Sequence, residues 1–303
     1  MNYYFKDNSI KIHHECLPSN FRMLIVGESG CGKTTLLMRL LLESGFINYN
    51  KLYIYAKSLY QPEYKVLIEG FKNSLNKKNM LLLLNAGEDL KTPSEWVIDY
   101  IKDNEKELTP HQLEYLTKNY KKIKSNEQWI EVKDKLEIDD DIDIPSIESL
   151  ALALAEDQNK PSKIEAEFST EASEIIDPAD LDKTIKNLIV FDDIQSERNQ
   201  DPASAYFTRG RSANCDAIYL AQNYTRLPLH TVRTNSNIMI FFKSSPLVIE
   251  QLYRNFASVD MDSIKEFKDL CKEAWKHKYG YLVIDKSQDY KSGNKYRFKL
   301  ELN

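Results

Sequence analysis

Apolar residues in this chain gather in short runs separated by polar turns, and the spacing within each run predicts the element it forms. FRMLIVG, Phe21 to Gly27, is brief and ends in glycine, which predicts a buried strand. KTTLLMRLLLES follows with helical spacing and a plausible stop at Gly45. KLYIYAKS predicts a second strand and PEYKVLIEGF a helix behind it. The same rhythm returns late in the chain, where NLIVFDDI, AIYLAQ and NIMIFFKSS predict strands. SSPLVIEQLYRNF then predicts a helix capped by Ser245 with Pro246 in its first turn, and DSIKEFKDLCKEAWKHK another. YGYLVID and KYRFKLEL read as closing strands. No fixed-period repeat is present, so a solenoid is excluded. The expectation is an α/β fold with a mainly parallel sheet and flanking helices.

Between these two stretches the pattern changes. Thr92-Pro93-Ser94-Glu95 and Thr109-Pro110-His111-Gln112 each set a cap, a first-turn proline and a side chain able to reach back, and Ser125 with Gln128 repeats the capping spacing. Three short helices are predicted: PSEWVIDYIKD, PHQLEYLTKNYKKIK and NEQWIEVKDKL. From Glu137 to Asp182 the chain is acidic and poor in aromatics; SIESLALALAED reads as one helix and the rest as a mobile tether. The α/β core is thus expected over residues 1–72 and 183–303, with a helical insertion over 73–136 and an acidic, flexible segment over 137–182.

Composition adjusts this picture in two places. The net charge of −5 hides an asymmetry: 137–182 holds 15 acidic and 2 basic residues, which leaves the remainder at +8. A mildly basic body suits a polyanionic partner, although an ordinary solvated acidic insertion explains the charge equally well. The four cysteines, Cys16, Cys31, Cys215 and Cys271, show no CxxC pairing, which argues against a zinc ribbon or a disulfide framework. The polar start MNYYFKDNSIKIHHE lacks a secretory pattern, and no apolar run approaches the ~18 residues of a spanning helix. An intracellular, soluble protein is expected, without a membrane partner.

The chemistry is concentrated in GESGCGKT, which matches G-x-x-x-x-G-K-[ST] in full between a strand and a helix. Gly27, Glu28, Ser29, Gly30, Cys31, Gly32, Lys33, Thr34 and Thr35 are expected to surround bound ATP. Backbone N–H groups and the helix N-terminus face the phosphates, Lys33 reaches the β- and γ-phosphates, and Thr34 ligates Mg²⁺. Thr35 is expected to pack or cap, and Cys31 to serve simply as a small loop side chain, with sensitivity to oxidation as the alternative. NLIVFDDI supplies the second half: Asp192 joins Thr34 as metal ligand and Asp193 orients the attacking water. Gln222, ending AIYLAQ, can hydrogen-bond both a γ-phosphate oxygen and that water, but on spacing alone it reads equally as an ordinary polar strand end. Arg209, Arg211, Arg226 and Arg233 cluster around the same strand; Arg211 and Arg233 are candidates for a guanidinium supplied to a neighbouring subunit's γ-phosphate, against a surface or phosphate-backbone role for any single one. NKKN, NKPS and NKYR all lack the aspartate of a guanine reader, and no LSGGQ-like signature of a transporter cassette occurs.

YFTRGRSANCDAIYLAQNYTRLPLHTVRTNSNIMIFFK, with LIVFDDI upstream, resembles the DNA-packaging ATPases of eukaryotic DNA viruses, including the poxvirus enzyme and its relatives in virophages and Polinton/Maverick elements, within the FtsK–HerA superfamily. The likeness covers roughly residues 15–72 and 184–286. It implies an additional-strand core of the RecA/FtsK type, with the Gln222 strand between the P-loop strand and the Asp192 strand and Gln222 as a sensor. It also implies a homo-oligomeric ring that uses ATP to move double-stranded DNA, without regard to base sequence, into a capsid through its portal vertex. Ser212 stands where the family often has histidine, while Asp193 in place of glutamate is common among the viral relatives. A cellular HerA-like DNA translocase and a nucleotide-dependent assembly scaffold share the same motifs.

Overall fold

The computed structural model describes residues 13–300 apart from Asp141 and Arg198. Most of the N-terminal run read above as non-secretory lies outside the described residues. One unit of the chain runs to Tyr64 and resumes at Ser162; the other is Lys65–Pro161. The division thus falls earlier at both ends than the sequence pattern suggested, and residues 162–182 go with the sheet.

Eight strands make that sheet: β1 (Arg22–Val26), β2 (Lys51–Ala56), β3 (Glu165–Ser169), β4 (Asn187–Asp192), β5 (Cys215–Ala221), β6 (Ile238–Phe242), β7 (Tyr281–Asp285) and β8 (Tyr296–Arg297). Their order is β3-β2-β4-β5-β1-β6-β7-β8. The first six in that order run parallel, β7 pairs antiparallel with β6, and β8 pairs antiparallel with β7. All residues of β4, β5 and β6 are buried, as strands covered on both faces require. β5 pairs with β4 on one side and β1 on the other, in a register that sets Val26 opposite Ala221 and Asp192 opposite Leu220. Three strand ends therefore open on one edge of the sheet.

Among the described residues, ten α-helices accompany the strands. α1 (Lys33–Leu42) and α2 (Pro62–Lys72) follow β1 and β2. α3 (Lys77–Glu88), α4 (Pro93–Asp103), α5 (Pro110–Asn119), α6 (Asn126–Leu136) and α7 (Ile147–Asp157) fill the second unit. α8 (Asp201–Arg209), α9 (Pro246–Leu252) and α10 (Ile264–Ala274) belong to the sheet unit. One face of the sheet packs Tyr55, Phe191, Tyr219 and Phe241 against Tyr206 and Phe207 of α8 and Phe267 of α10.

The second unit has its own small core. Trp129 is fully buried among Val97, Tyr100, Leu116 and Ile144, and its indole N–H donates to the Ile142 carbonyl at 3.0 Å. The two Thr-Pro starts are true capping boxes, Thr92 with Glu95 and Thr109 with Gln112. At the third start Ser125 accepts from the Gln128 N–H, but the Gln128 side chain goes to the Lys124 N–H instead.

Several elements differ from the pattern-based reading. The supposed tether contains β3, whose EAEFS alternates charge with half-buried positions and pairs with β2 as an edge strand, anchored by Lys51 against Glu167 at 2.6 Å. α3 and α8 were not expected; the continuous MLLLL of α3 blurs its helical period. Ser245 precedes α9 without a side-chain cap bond, and helical structure continues as a π turn over Tyr253–Ala257. The last expected strand is only two residues long, Tyr296–Arg297, with Glu301 and Leu302 outside the described residues.

Candidate nucleotide site

β1 runs directly into the glycine-rich turn, and the ladder continues one step beyond the strand, since the Gly27 N–H donates to the Ala221 carbonyl of β5 at 3.1 Å. Gly27 has no room for a side chain: a Cβ there would stand 2.6 Å from Cys31 Sγ and 2.7 Å from Phe242 Cβ. Gly32 caps α1 at φ +100°, a left-handed conformation that favours glycine, so the turn delivers the chain into the helix without a side-chain cap. The first-turn N–H groups of α1 are left to a ligand, and the helix end favours an anion. Glu28, Ser29 and Gly30 are exposed and Cys31 to Thr34 half-buried along this turn. Thr35 is exposed at the helix start.

Lys33 curls back over the turn, its Nζ donating to the Gly27 carbonyl at 2.7 Å and the Glu28 carbonyl at 2.9 Å. Two neutral acceptors hold the ammonium in place while leaving its charge unneutralised. Burial pushes the Cys31 thiol up from its ordinary value, partly offset by Lys33, so it stays protonated and is a poor nucleophile.

Across β5, Asp192 closes β4 with only 9 % exposure. Burial raises its carboxyl above the usual range, opposed by a hydrogen bond from the Tyr64 hydroxyl to Oδ2 at 2.5 Å and by the Lys33 charge. Asp193 adopts φ +55° just past the strand, which turns its side chain toward β5, and its Oδ1 accepts from Gln222 Nε2 at 3.1 Å. The lysine of the first motif, the carboxylates of the second and the amide of the intervening strand thus share one edge of the sheet.

Sequence reasoning missed three residues here. Tyr64, in the first turn of α2, is 128 positions from the carboxylate it touches, and nothing in its neighbourhood signals that role. Gln195 clasps the strand ends: its Oε1 accepts from the N–H groups of Gln222 and Asn223, and its Nε2 donates to the Asn223 carbonyl at 2.7 Å. Lys57 follows β2, pairs with Glu197 and donates to the Thr170 carbonyl.

The arginines separate. Arg211 lies exposed in the turn before β5, on the edge opposite the P-loop, where its charge helps to lower the half-buried Arg22 below its ordinary value after burial itself. Arg209 pairs with Asp177 at 2.9 Å, and the Ser212 hydroxyl donates to the Arg209 carbonyl. Arg226 is exposed in a 3-10 turn just past Gln222. Arg233 is half-buried, its guanidinium 4.9 Å from the centre of the Tyr224 ring. Among the described residues, none of the four hydrogen-bonds or ion-pairs with Lys33, Asp192, Asp193 or Gln222.

Thr34 and Asp192 fit a magnesium ion held mainly by substrate phosphates, which asks the protein for one or two oxygen ligands rather than a full cage. Among the described residues no group of three or more His, Cys, Asp or Glu could hold a metal by itself. No helix among them is long and apolar enough to cross a membrane.

No protein-family model and no curated protein matches the sequence. Among solved structures, the chain is similar to the genome-packaging NTPase B204 of Sulfolobus turreted icosahedral virus 2 in complex with AMP, at 10% identity and TM-score 0.40, over 94% of this chain and 98% of that one. The same NTPase in complex with ATP-gammaS gives 9% identity and TM-score 0.41, over 93% and 97%. VirB4 of Thermoanaerobacter pseudethanolicus gives 12% identity and TM-score 0.39, over 88% and 87%. Strand order, glycine-rich turn and strand-end aspartates, taken by themselves, make this chain an α/β P-loop NTPase core of the additional-strand type, with β5 as the added strand.

Proposed function

We propose that this protein is an ATP-hydrolysing DNA translocase that packages double-stranded viral DNA, working as a homo-oligomeric ring at a capsid or portal vertex inside the host cell. The observation that carries the reading is the Gln222–Asp193 hydrogen bond, which joins the end of the inserted strand to the residue proposed to orient water. A neutral amide in that position responds to loss of the γ-phosphate without adding charge, and Gln195 ties the same strand end to the backbone beyond it.

In this reading the first turn of α1 and Lys33 bind the phosphates, Lys33 leaving the Gly27 and Glu28 carbonyls as it does so. Thr34 and Asp192 would hold Mg²⁺, which would neutralise part of the charge on the phosphates. Tyr64 keeps Asp192 aimed, and Asp193 orients water in line with the γ-phosphate. Arg211, exposed and on the far edge from its own site, suits a guanidinium offered to the next subunit; Arg233, packed on Tyr224, suits an internal brace better. DNA is contacted through its phosphates, so its binding weakens steeply with salt.

The test is ATP hydrolysis by the full chain with and without duplex DNA, beside Lys33→Ala. The expected result is DNA-stimulated turnover in the wild type and none in the variant. Equal, slow turnover of both proteins with DNA present would remove the motor and leave a nucleotide-binding scaffold.

A further inference from the structure

Sheet order fixes a direction along the nucleotide. If the γ-phosphate faces Asp192, the triphosphate points toward β4, because β4 lies beyond β5 on one side of β1. The nucleoside end must then leave on the other side, toward β6 and β7. There the turn joining α10 to β7 stands beside the P-loop. A cavity of about 200 Å³ is lined by Cys31 of the P-loop, Phe242 and Lys243 at the end of β6, and turn residues including Trp275, His277 and Gly280. Next to it the ring of Tyr279 lies against the loop, where a Cβ on Gly32 would stand 3.3 Å from Tyr279 Cδ1. Even so, Tyr279 is 54 % exposed, a large aromatic left open beside a phosphate-binding turn.

The turn is built to stay put. The Trp275 indole N–H donates to the Phe241 carbonyl of β6 at 2.8 Å. Gly280 donates to the His277 carbonyl at 3.0 Å and sits so tightly that a Cβ would meet the Ala274 carbonyl oxygen at 2.2 Å. Tyr281 packs its ring 5.5 Å from that of Phe242. The Tyr279 platform is therefore anchored to both neighbouring strands without any ligand.

We propose that Tyr279 and the α10–β7 turn receive the base of the bound nucleotide by stacking, and that the site takes ATP and GTP with little discrimination. The proposal rests on the reading that the P-loop holds a nucleoside triphosphate. Stacking is indifferent to the hydrogen-bonding edge of a base, since every base offers a π face. The side chains lining the cavity are cationic, aromatic or sulfhydryl, with no carboxylate to read the guanine N1–H and amino group and no side-chain amide to read adenine. Lys243, Lys276 and Lys278 instead surround the place with positive charge, and Lys278 Nζ lies 5.0 Å from the Tyr279 ring centre.

Equilibrium binding of three probes to the full chain with Mg²⁺ tests this: ATPγS, GTPγS and tripolyphosphate, which has no base. In the wild type the two nucleotides should bind within about tenfold of each other. Tyr279→Ala should weaken both about tenfold, Tyr279→Phe should restore them, and tripolyphosphate should bind all three proteins equally. Unchanged nucleotide affinity in Tyr279→Ala, or a parallel loss of tripolyphosphate, would overturn the stacking role. A preference above about a hundredfold for either nucleotide in the wild type would overturn the tolerance. Failure of the wild type to bind any of the three probes would instead overturn the nucleotide reading, and the platform with it.

Discussion

The two ends of the same parallel strands solve opposite problems. At the N-terminal edge Asp216, inside β5 and 1 % exposed, is met on every side: His13 Nε2 and Lys186 Nζ each stand 2.8 Å from Oδ2, and the Phe21 N–H donates to Oδ1 at 3.0 Å. His13 is itself fixed, its Nδ1 accepting from the Asn48 N–H at 3.2 Å. At the C-terminal edge Lys33 rests on two neutral carbonyls, Asp192 takes one hydroxyl and Asp193 one amide. Buried charge is fully paired where it holds the fold together, and is left open to a charged ligand where the strands end. Ligands of open α/β sheets gather beyond the carboxyl ends of the strands for this reason as well as for the helix ends found there.

The contrast can be broken by experiment, and the largest effect is expected at the closed edge. Asp216→Ala strands Lys186 and His13 without their partner and should cost about 3–5 kcal/mol of stability, read as a drop in the denaturant midpoint. An unchanged midpoint would mean the N-terminal edge is not a structural clamp. Lys33→Ala should do the reverse: hydrolysis falls ~10²–10³-fold while the midpoint moves by no more than about 0.5 kcal/mol in equivalent stability. A large loss of stability in this variant would place Lys33 among the fold-holding residues.

Smaller changes sharpen the comparison. Tyr64→Phe removes the hydroxyl that aims Asp192 and should raise the Mg²⁺ concentration for half-maximal hydrolysis about tenfold, with the helical content of the protein retained. No change in Mg²⁺ dependence would mean that Tyr64 only fills space. Cys31 should give the mildest result. Burial holds its pKa above the ordinary value, so the thiolate fraction near neutral pH falls below that of an exposed cysteine and grows as pH rises. Iodoacetamide should therefore modify it several-fold more slowly in the native protein than after unfolding, whereas equal rates would show the thiol to be open.

Legibility in the sequence followed the same divide. GESGCGKT, NLIVFDDI and AIYLAQ are contiguous, and each announces its element because buried parallel strands are continuous apolar runs. The Thr-Pro starts of α4 and α5 were readable because a capping box is local chemistry. β3 was hidden because an edge strand needs little apolar surface, and Lys51 and Glu167 do part of the anchoring. Tyr64, Gln195 and the His13–Asp216–Lys186 cluster were hidden for a different reason. Their partners come from distant elements, so only the folded sheet shows that a tyrosine, an amide or a strand aspartate has a task. Placement of β5 between β1 and β4 was expected from family resemblance, and periodicity alone would not have ordered those strands.

The most direct measurement is phosphate release by Gln222→Ala, with duplex DNA present and absent. If β5 links hydrolysis to DNA, basal turnover and Mg-ATP binding should persist while stimulation by DNA disappears. Stimulation of the same magnitude as in the wild type would contradict that link, and with it the motor.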